Sequence, residues 1–269
     1  MNSPHTENIF STELLKHLHI LTKDGKLNQD TNRKLKQILH LNQFIIPLLE
    51  SFENQDYQLV DVGAGKSYLG FLLYDQFIKN IKNGHVLGIE SRNELVEKSK
   101  SLAKNLNFTR MTFLAKTIEQ IFENLSSVKA DIVTALHACN TATDEAIKLG
   151  ILKNAKYLVL IPCCQAEVAS ILKEYKQQFH QNPMIQLFRH AIHTREFGSH
   201  LTNVLRCLSL EAHGYQVTVT ELVGLEHSMK NELIIAKKID QKNQKSLKDL
   251  EFLIDHFNLG SIKHRFLFN

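Results

Sequence analysis

The chain has 269 residues, room for one large α/β domain or a core domain with an appended piece. Hydrophobic residues at 43% and charged residues at 22% are the balance of a soluble globular protein, and no segment is of low complexity or repeats another. A net charge of +4 with 14 histidines permits a polyanionic partner without requiring one.

The opening stretch Met1 to Glu7 is polar, with no signal peptide, and no apolar run is long enough to cross a bilayer. The four cysteines have no disulfide-framework spacing, so a reducing cytoplasm is the expected location, with no membrane partner. From about residue 9 to 53 the apolar spacing predicts helices: one from Phe10 to about Leu21, broken at Asp24-Gly25, and a longer one from about Asp30 to Phe52. The first turns of the longer helix carry Arg33, Lys34 and Lys36, either a solvated face or a basic lip over a cleft.

From residue 57 strands and helices alternate, the pattern of a mostly parallel sheet covered on both faces. The predicted strands are Gln58 to Val62, His85 to Ile89, Met111 to Leu114, Asp131 to Leu136 and Tyr157 to Ile161. Ser91 followed by Glu94 predicts a capping box for the helix after the second strand, and Thr141 with Asp144 a similar start after the fourth. Residues 176 to 196 break the rhythm and read as a loop or insertion holding Arg189, His190, His193 and Arg195, before a helix from Phe197 that stops at Gly214. Tyr215 to Val223 and Glu232 to Lys238 then predict a tightly joined, antiparallel pair, followed by a lysine-rich, helical tail. The expected organisation is a helical extension over 1–53, a core domain over 54–239 and a tail over 240–269.

The most telling segment is Leu59-Val60-Asp61-Val62-Gly63-Ala64-Gly65-Lys66-Ser67, a buried strand running into a glycine turn and then into a helix. Gly63 and Gly65 give the backbone tight geometry and close approach to a ligand. Glu90, at the end of the second strand, offers a carboxylate to both hydroxyls of a ribose. Tyr68 stands where a dinucleotide fingerprint has its third glycine, and the spacing before Lys66-Ser67 is not that of a phosphate-binding loop. A nucleoside cofactor without a pyrophosphate suits the turn better.

With Asp61, Gly63, Gly65 and Glu90 in these places, the chain resembles the class I S-adenosylmethionine-dependent methyltransferases, whose first motif is acidic–x–Gly–x–Gly. Over roughly residues 30 to 238 it is similar to a narrower group that includes several methyltransferase-like proteins and the glutathione S-transferase C-terminal-domain-containing proteins. The carrying motifs, in order, are Gly63-Ala64-Gly65-Lys66, Leu136-His137-Ala138-Cys139 and Pro162-Cys163-Cys164, with Glu226-His227-Ser228-Met229-Lys230-Asn231 before the last strand. A eukaryotic tRNA 2′-O-methyltransferase looks like a distant relative. The resemblance implies an α/β, Rossmann-like sheet of seven strands, mostly parallel with the last antiparallel, S-adenosylmethionine as cofactor, and RNA as the leading acceptor, the alternatives being a protein or small-molecule acceptor or a binding module that kept the fold without catalysis. It also implies that Lys116-Thr117-Ile118 stands where the superfamily contacts adenine, with Thr117 in place of the usual aspartate and Ile118 able to pack on the ring.

His137, Asn140, Cys163 and Cys164 would then sit at strand ends over the acceptor. His137 suits a general base equally with a loop histidine fixing the backbone under the cofactor. Asn140 either orients an acceptor or caps the next helix. Cys163 and Cys164 fit a loop-shaping role better than a metal or a nucleophile, since the spacings match no zinc motif. Arg189, His193, Arg195 and Lys230 are the candidate contacts to an acidic substrate, with surface ion pairs as the plain alternative. The absence of an Asn-Pro-Pro-Tyr type motif after the fourth strand argues against exocyclic adenine amines as acceptors.

Overall fold

The computed structural model describes residues 10–22, 24, 29–136, 141–162, 166–175, 183–222 and 232–268, the side chains of 29–34 and 175 excepted. Its centre is the predicted sheet: β1 (Gln58–Val62), β2 (His85–Glu90), β3 (Met111–Ala115), β4 (Ile132–Leu136), β5 (Tyr157–Ile161), β6 (Tyr215–Glu221) and β7 (Glu232–Lys238). The order is β3-β2-β1-β4-β5-β7-β6. β1 to β5 run parallel, and β7 is antiparallel to both β5 and β6. The inner strands are apolar on both faces, as a doubly covered parallel sheet demands; all of β5 is buried.

The helices are α1 (Thr12–His17), α2 (Gln29–Glu50), α3 (Tyr68–Gln76), α4 (Asn93–Asn105), α5 (Ile118–Glu123), α6 (Thr141–Leu152), α7 (Glu167–Tyr175), α8 (Ala191–Ala212) and α9 (Gln244–His256). One apolar layer joins α1, α2 and α3 to one face of the sheet through Leu14, Leu41, Ile45, Phe71 and Leu59. A second joins α5 and α6 to the other face through Ile121, Ile147 and Val60. In a third, Leu205 of α8 packs with Leu250 and Ile254 of α9, so the lysine-rich tail is folded onto the body. Among the described residues no helix is long and apolar enough to cross a membrane.

Several local expectations need correction. The first helix is shorter than Phe10 to Leu21, because Ser11 caps it and His19 takes a left-handed backbone at φ 55°. No capping box forms at Ser91 and Glu94. The helix starts a residue later, with Arg92 at the N-cap; the Ser91 hydroxyl turns to Glu90, and Glu94 pairs with Lys98. A capping box forms at the next helix, between Thr117 and Gln120 at the start of α5. Asp144 is a first-turn acid of α6, and its carboxylate also binds two arginines, Arg206 and Arg265. The stretch ending at residue 196 is not all loop: Pro183–Phe188 forms a 3-10 turn and α8 begins at Ala191. His193 and Arg195 lie on its solvent face and hide the apolar register that Thr194, Gly198 and Leu201 carry inward.

Candidate functional site

The sheet reverses direction of growth between β1 and β4, and the helices that follow them, α3 and α6, pack on opposite faces, the arrangement that leaves a crevice at the carboxyl ends of these strands. The glycine turn lies at that point. Val62 is level with Ile89 of β2, and Asp61 with Thr134 of β4. Gly63 and Gly65 take φ 65° and 59°, left-handed values that side-chain-bearing residues adopt only at a cost. Ser67 does so as well, at φ 54°, and its buried hydroxyl has no hydrogen-bond partner among the described residues. Strain and an orphaned hydroxyl in one turn mark a segment shaped for something other than stability.

Glu90, at the end of the neighbouring strand β2, reaches this turn directly. Its carboxylate is buried and accepts from the Gly65 amide at 2.8 Å, the Arg92 amide at 3.0 Å and Arg92 Nε at 2.9 Å. Burial alone would raise its pKa, but the Arg92 side chain, the two amides and the Arg92 charge outweigh that and hold it at about 2. The result is a fixed, fully ionised acceptor next to a backbone cradle: over Gly65, an added Cβ would meet nothing nearer than Arg92 Nη2 at 3.9 Å. These residues fit the nucleoside end of S-adenosylmethionine, with Glu90 for the ribose hydroxyls and the open turn for close approach of the backbone. Sequence reasoning missed Arg92, for which the signal was a basic residue two places after the strand-end acid.

Asp61 has the opposite setting. It is buried beneath the turn and accepts one side-chain hydrogen bond, from Thr134 Oγ1 at 2.9 Å. Burial raises its pKa to about 7, with the Thr134 bond opposing. Between the unfolded value near 4 and about 7, the folded chain therefore holds a proton that the unfolded chain has released. Stability must fall as pH rises through that window, by an amount on the order of a few kcal/mol. Asp61→Asn, which cannot ionise, is expected to gain stability relative to the wild type between pH 5 and pH 8 in urea titrations. Parallel profiles would show that Asp61 does not titrate there.

Of the other expected site residues, Thr117 spends its side chain on the N-cap of α5 and Ile118 is buried behind it. His137, Cys139, Asn140, Cys163, Cys164 and Lys230 lie outside the described residues. Among the described residues no cluster of three His, Cys, Asp or Glu could hold a metal ion. Cys207, the described cysteine, has its thiol pushed up to about 12 by burial and by Glu232 and Glu211, which makes it inert.

One network of hydrogen bonds and ion pairs ties α6, α7, α8 and β7 to the C-terminal segment. Arg206 of α8, fully buried, donates to Asp144 at 2.6 Å and to Asn203 at 3.2 Å. Asn203 reaches Glu232 at 2.7 Å, and Arg265 binds both Asp144 and Glu167. Asp144, Glu167 and Glu232 stand at or near the starts of α6, α7 and β7, each just after a segment bearing one of the motifs.

The basic residues Arg189, His190 and His193 are exposed at the start of α8, and Arg195 pairs with Glu196 at 2.9 Å. Since β6 runs parallel to β5 and follows α8, the start of α8 lies toward the carboxyl ends of the parallel strands, the end that carries the glycine turn. At the same end a cleft of about 640 Å3 between α1 and α4 reaches Lys66, with His17 and His19 on one wall and Glu94 and Lys98 on the other.

Residues 33–171 match a family described as a methyltransferase domain, just over half of the chain. A mouse (Mus musculus) glutathione S-transferase C-terminal domain-containing protein is 24% identical over 231 residues, 79% of this chain and 34% of its own length. Its homolog in Drosophila melanogaster is 23% identical over 232 residues, covering 78% and 37%. The chain thus spans about a third of the length of these relatives. Among solved structures, magnesium protoporphyrin IX methyltransferase from Synechocystis with bound S-adenosylhomocysteine is 13% identical with a TM-score of 0.50, over 86% of this chain and 96% of that one. That likeness is one of fold.

Proposed function

The chain belongs to this methyltransferase-domain family, and from that premise we propose that it binds S-adenosylmethionine through Asp61, Gly63, Gly65 and Glu90 and methylates RNA. The observation that carries the cofactor assignment is the Glu90 carboxylate, ionised, buried and tied to the Gly65 amide at 2.8 Å. When bound, S-adenosylmethionine supplies an activated methyl group, whose transfer depends chiefly on an aligned acceptor lone pair. The protein's part is positional. Glu90 orients the ribose, the glycine turn admits the cofactor backbone to backbone, and Ile118 borders the adenine. His137 is the candidate to take the acceptor's proton, with Asn140, Cys163 and Cys164 shaping the acceptor's entry.

RNA is favoured over other acceptors by the net charge of +4 and by the exposed Arg189, His190 and His193 at the cofactor end of the sheet. Arg195, paired with Glu196, lies exposed on α8, and Lys230 is a further candidate contact from the sequence. The resemblance to a tRNA 2′-O-methyltransferase points the same way. Phosphates met by these side chains would make binding fall steeply with salt. The test is incubation of the protein with S-adenosylmethionine labelled on the methyl group and total cellular RNA or total protein. Label is expected in RNA and lost in Arg189→Ala/His193→Ala; label in protein alone, or in neither pool, overturns the RNA assignment.

A further inference from the structure

The Glu90 carboxylate is offered more hydrogen bonds than it can hold. Its two oxygens have about four lone-pair positions between them. Five donors lie within reach. On Oε1 these are the Arg92 amide at 3.0 Å, Arg92 Nε at 2.9 Å and the Ser91 hydroxyl at 3.4 Å. On Oε2 they are the Gly65 amide at 2.8 Å and Arg92 Nη2 at 3.1 Å. The two amides are fixed by the glycine turn and the start of α4, and the serine contact is long. The guanidinium is the part free to leave: it holds one place on each oxygen, and its side chain is 66% exposed. It also overlies the turn, as the nearest atom to a Cβ built on Gly65.

A vicinal diol gripped by both oxygens needs one place on each, the two that Nε and Nη2 occupy. We propose that Arg92 is a displaceable latch on the ribose-binding carboxylate, so that ribose hydroxyls and guanidinium compete for Glu90 and cofactor binding turns Arg92 out into solvent. This rests on Glu90 being the ribose acceptor. The latch lowers affinity, and because its guanidinium faces solvent its hold weakens with salt, whereas hydrogen bonds to a neutral sugar are little affected. Affinity for the cofactor therefore rises as salt weakens the latch. A lysine at 92 keeps the charge but loses the fork, so it holds one oxygen at most.

The test is calorimetric titration of S-adenosylhomocysteine into the full chain and into Arg92→Ala and Arg92→Lys, at 0.02 M and 0.5 M NaCl as chosen conditions. At low salt the alanine variant is expected to bind roughly two- to fivefold more tightly than wild type, with lysine between them. At high salt the gap should close. Wild type binding while Arg92→Ala is no tighter, or a gap that ignores salt, overturns the latch and leaves the cofactor site intact. No binding by any of the three overturns the ribose assignment and the latch with it.

Discussion

Replacing Glu90 with alanine is expected to abolish the thermal stabilisation that S-adenosylhomocysteine gives the wild type. At a ligand concentration of about 100 Kd, the wild type gains roughly 2.7 kcal/mol. The variant loses two charge-assisted hydrogen bonds to the ribose, worth about 1.5–3 kcal/mol each. Its affinity should drop by at least about a hundredfold, and the ligand-induced shift in Tm should vanish at the same concentration. Removing the carboxylate also deprives the Gly65 amide of its acceptor, so the turn itself loosens. Glu90→Gln separates the two effects. The amide oxygen still accepts from Gly65, so the turn is kept while the charge is gone, and an intermediate shift is expected. Because Glu90 stays ionised down to about pH 2, its contribution to binding should not vary between pH 5 and 8.

Arg206→Ala should cost the fold more than any other single side-chain removal considered. Arg206 is 0% exposed and bridges α6 and α8 through Asp144 and Asn203. Breaking a buried pair by deleting one partner typically costs about 3–5 kcal/mol, because the remaining charge is left under-compensated. Here Arg265 still holds the other oxygen of Asp144, which argues for the lower half of that range. A fall in Tm of roughly 6–12 °C follows for a domain of this size. Loss of less than about 1 kcal/mol in urea unfolding would mean that the network is not a structural anchor. Because Asp144, Glu167 and Glu232 follow three of the motif segments in sequence, the proposed methyl transfer should also be lost in the variant at temperatures where it remains folded.

The sheet was legible because its inner strands are short, apolar runs bounded by turn residues, and β1, β5 and β7 fall where those runs do. Gly63, Gly65 and Gly214 all take the positive φ that their positions as turn and helix stop require. What misled was competition for the same groups. Ser91 has the right spacing for a cap, yet Glu90 is a stronger acceptor next door and pulls both Ser91 and the Arg92 amide toward itself. Asp144 is a first-turn acid as its position implies, but only the fold brings Arg206 and Arg265, distant in sequence, onto it. The start of α8 was hidden because its exposed face carries the histidines and arginines that suggest a loop, while Thr194 and Gly198 face inward. At the site, Asp61, Gly65 and Glu90 could be placed from strand ends, whereas the Arg92 latch and the Thr134 bond to Asp61 depend on side-chain geometry that no local pattern encodes.

The proposed cofactor site is the turn from Asp61 to Ser67 with Glu90, shaped for a nucleoside cofactor that has no pyrophosphate. Its most direct test is equilibrium titration of the wild-type protein with S-adenosylhomocysteine and, separately, with NAD. Saturable one-to-one binding of S-adenosylhomocysteine, lost in Glu90→Ala, with no binding of NAD, is the predicted result. Binding of NAD in preference, or S-adenosylhomocysteine binding unchanged by Glu90→Ala, would contradict it.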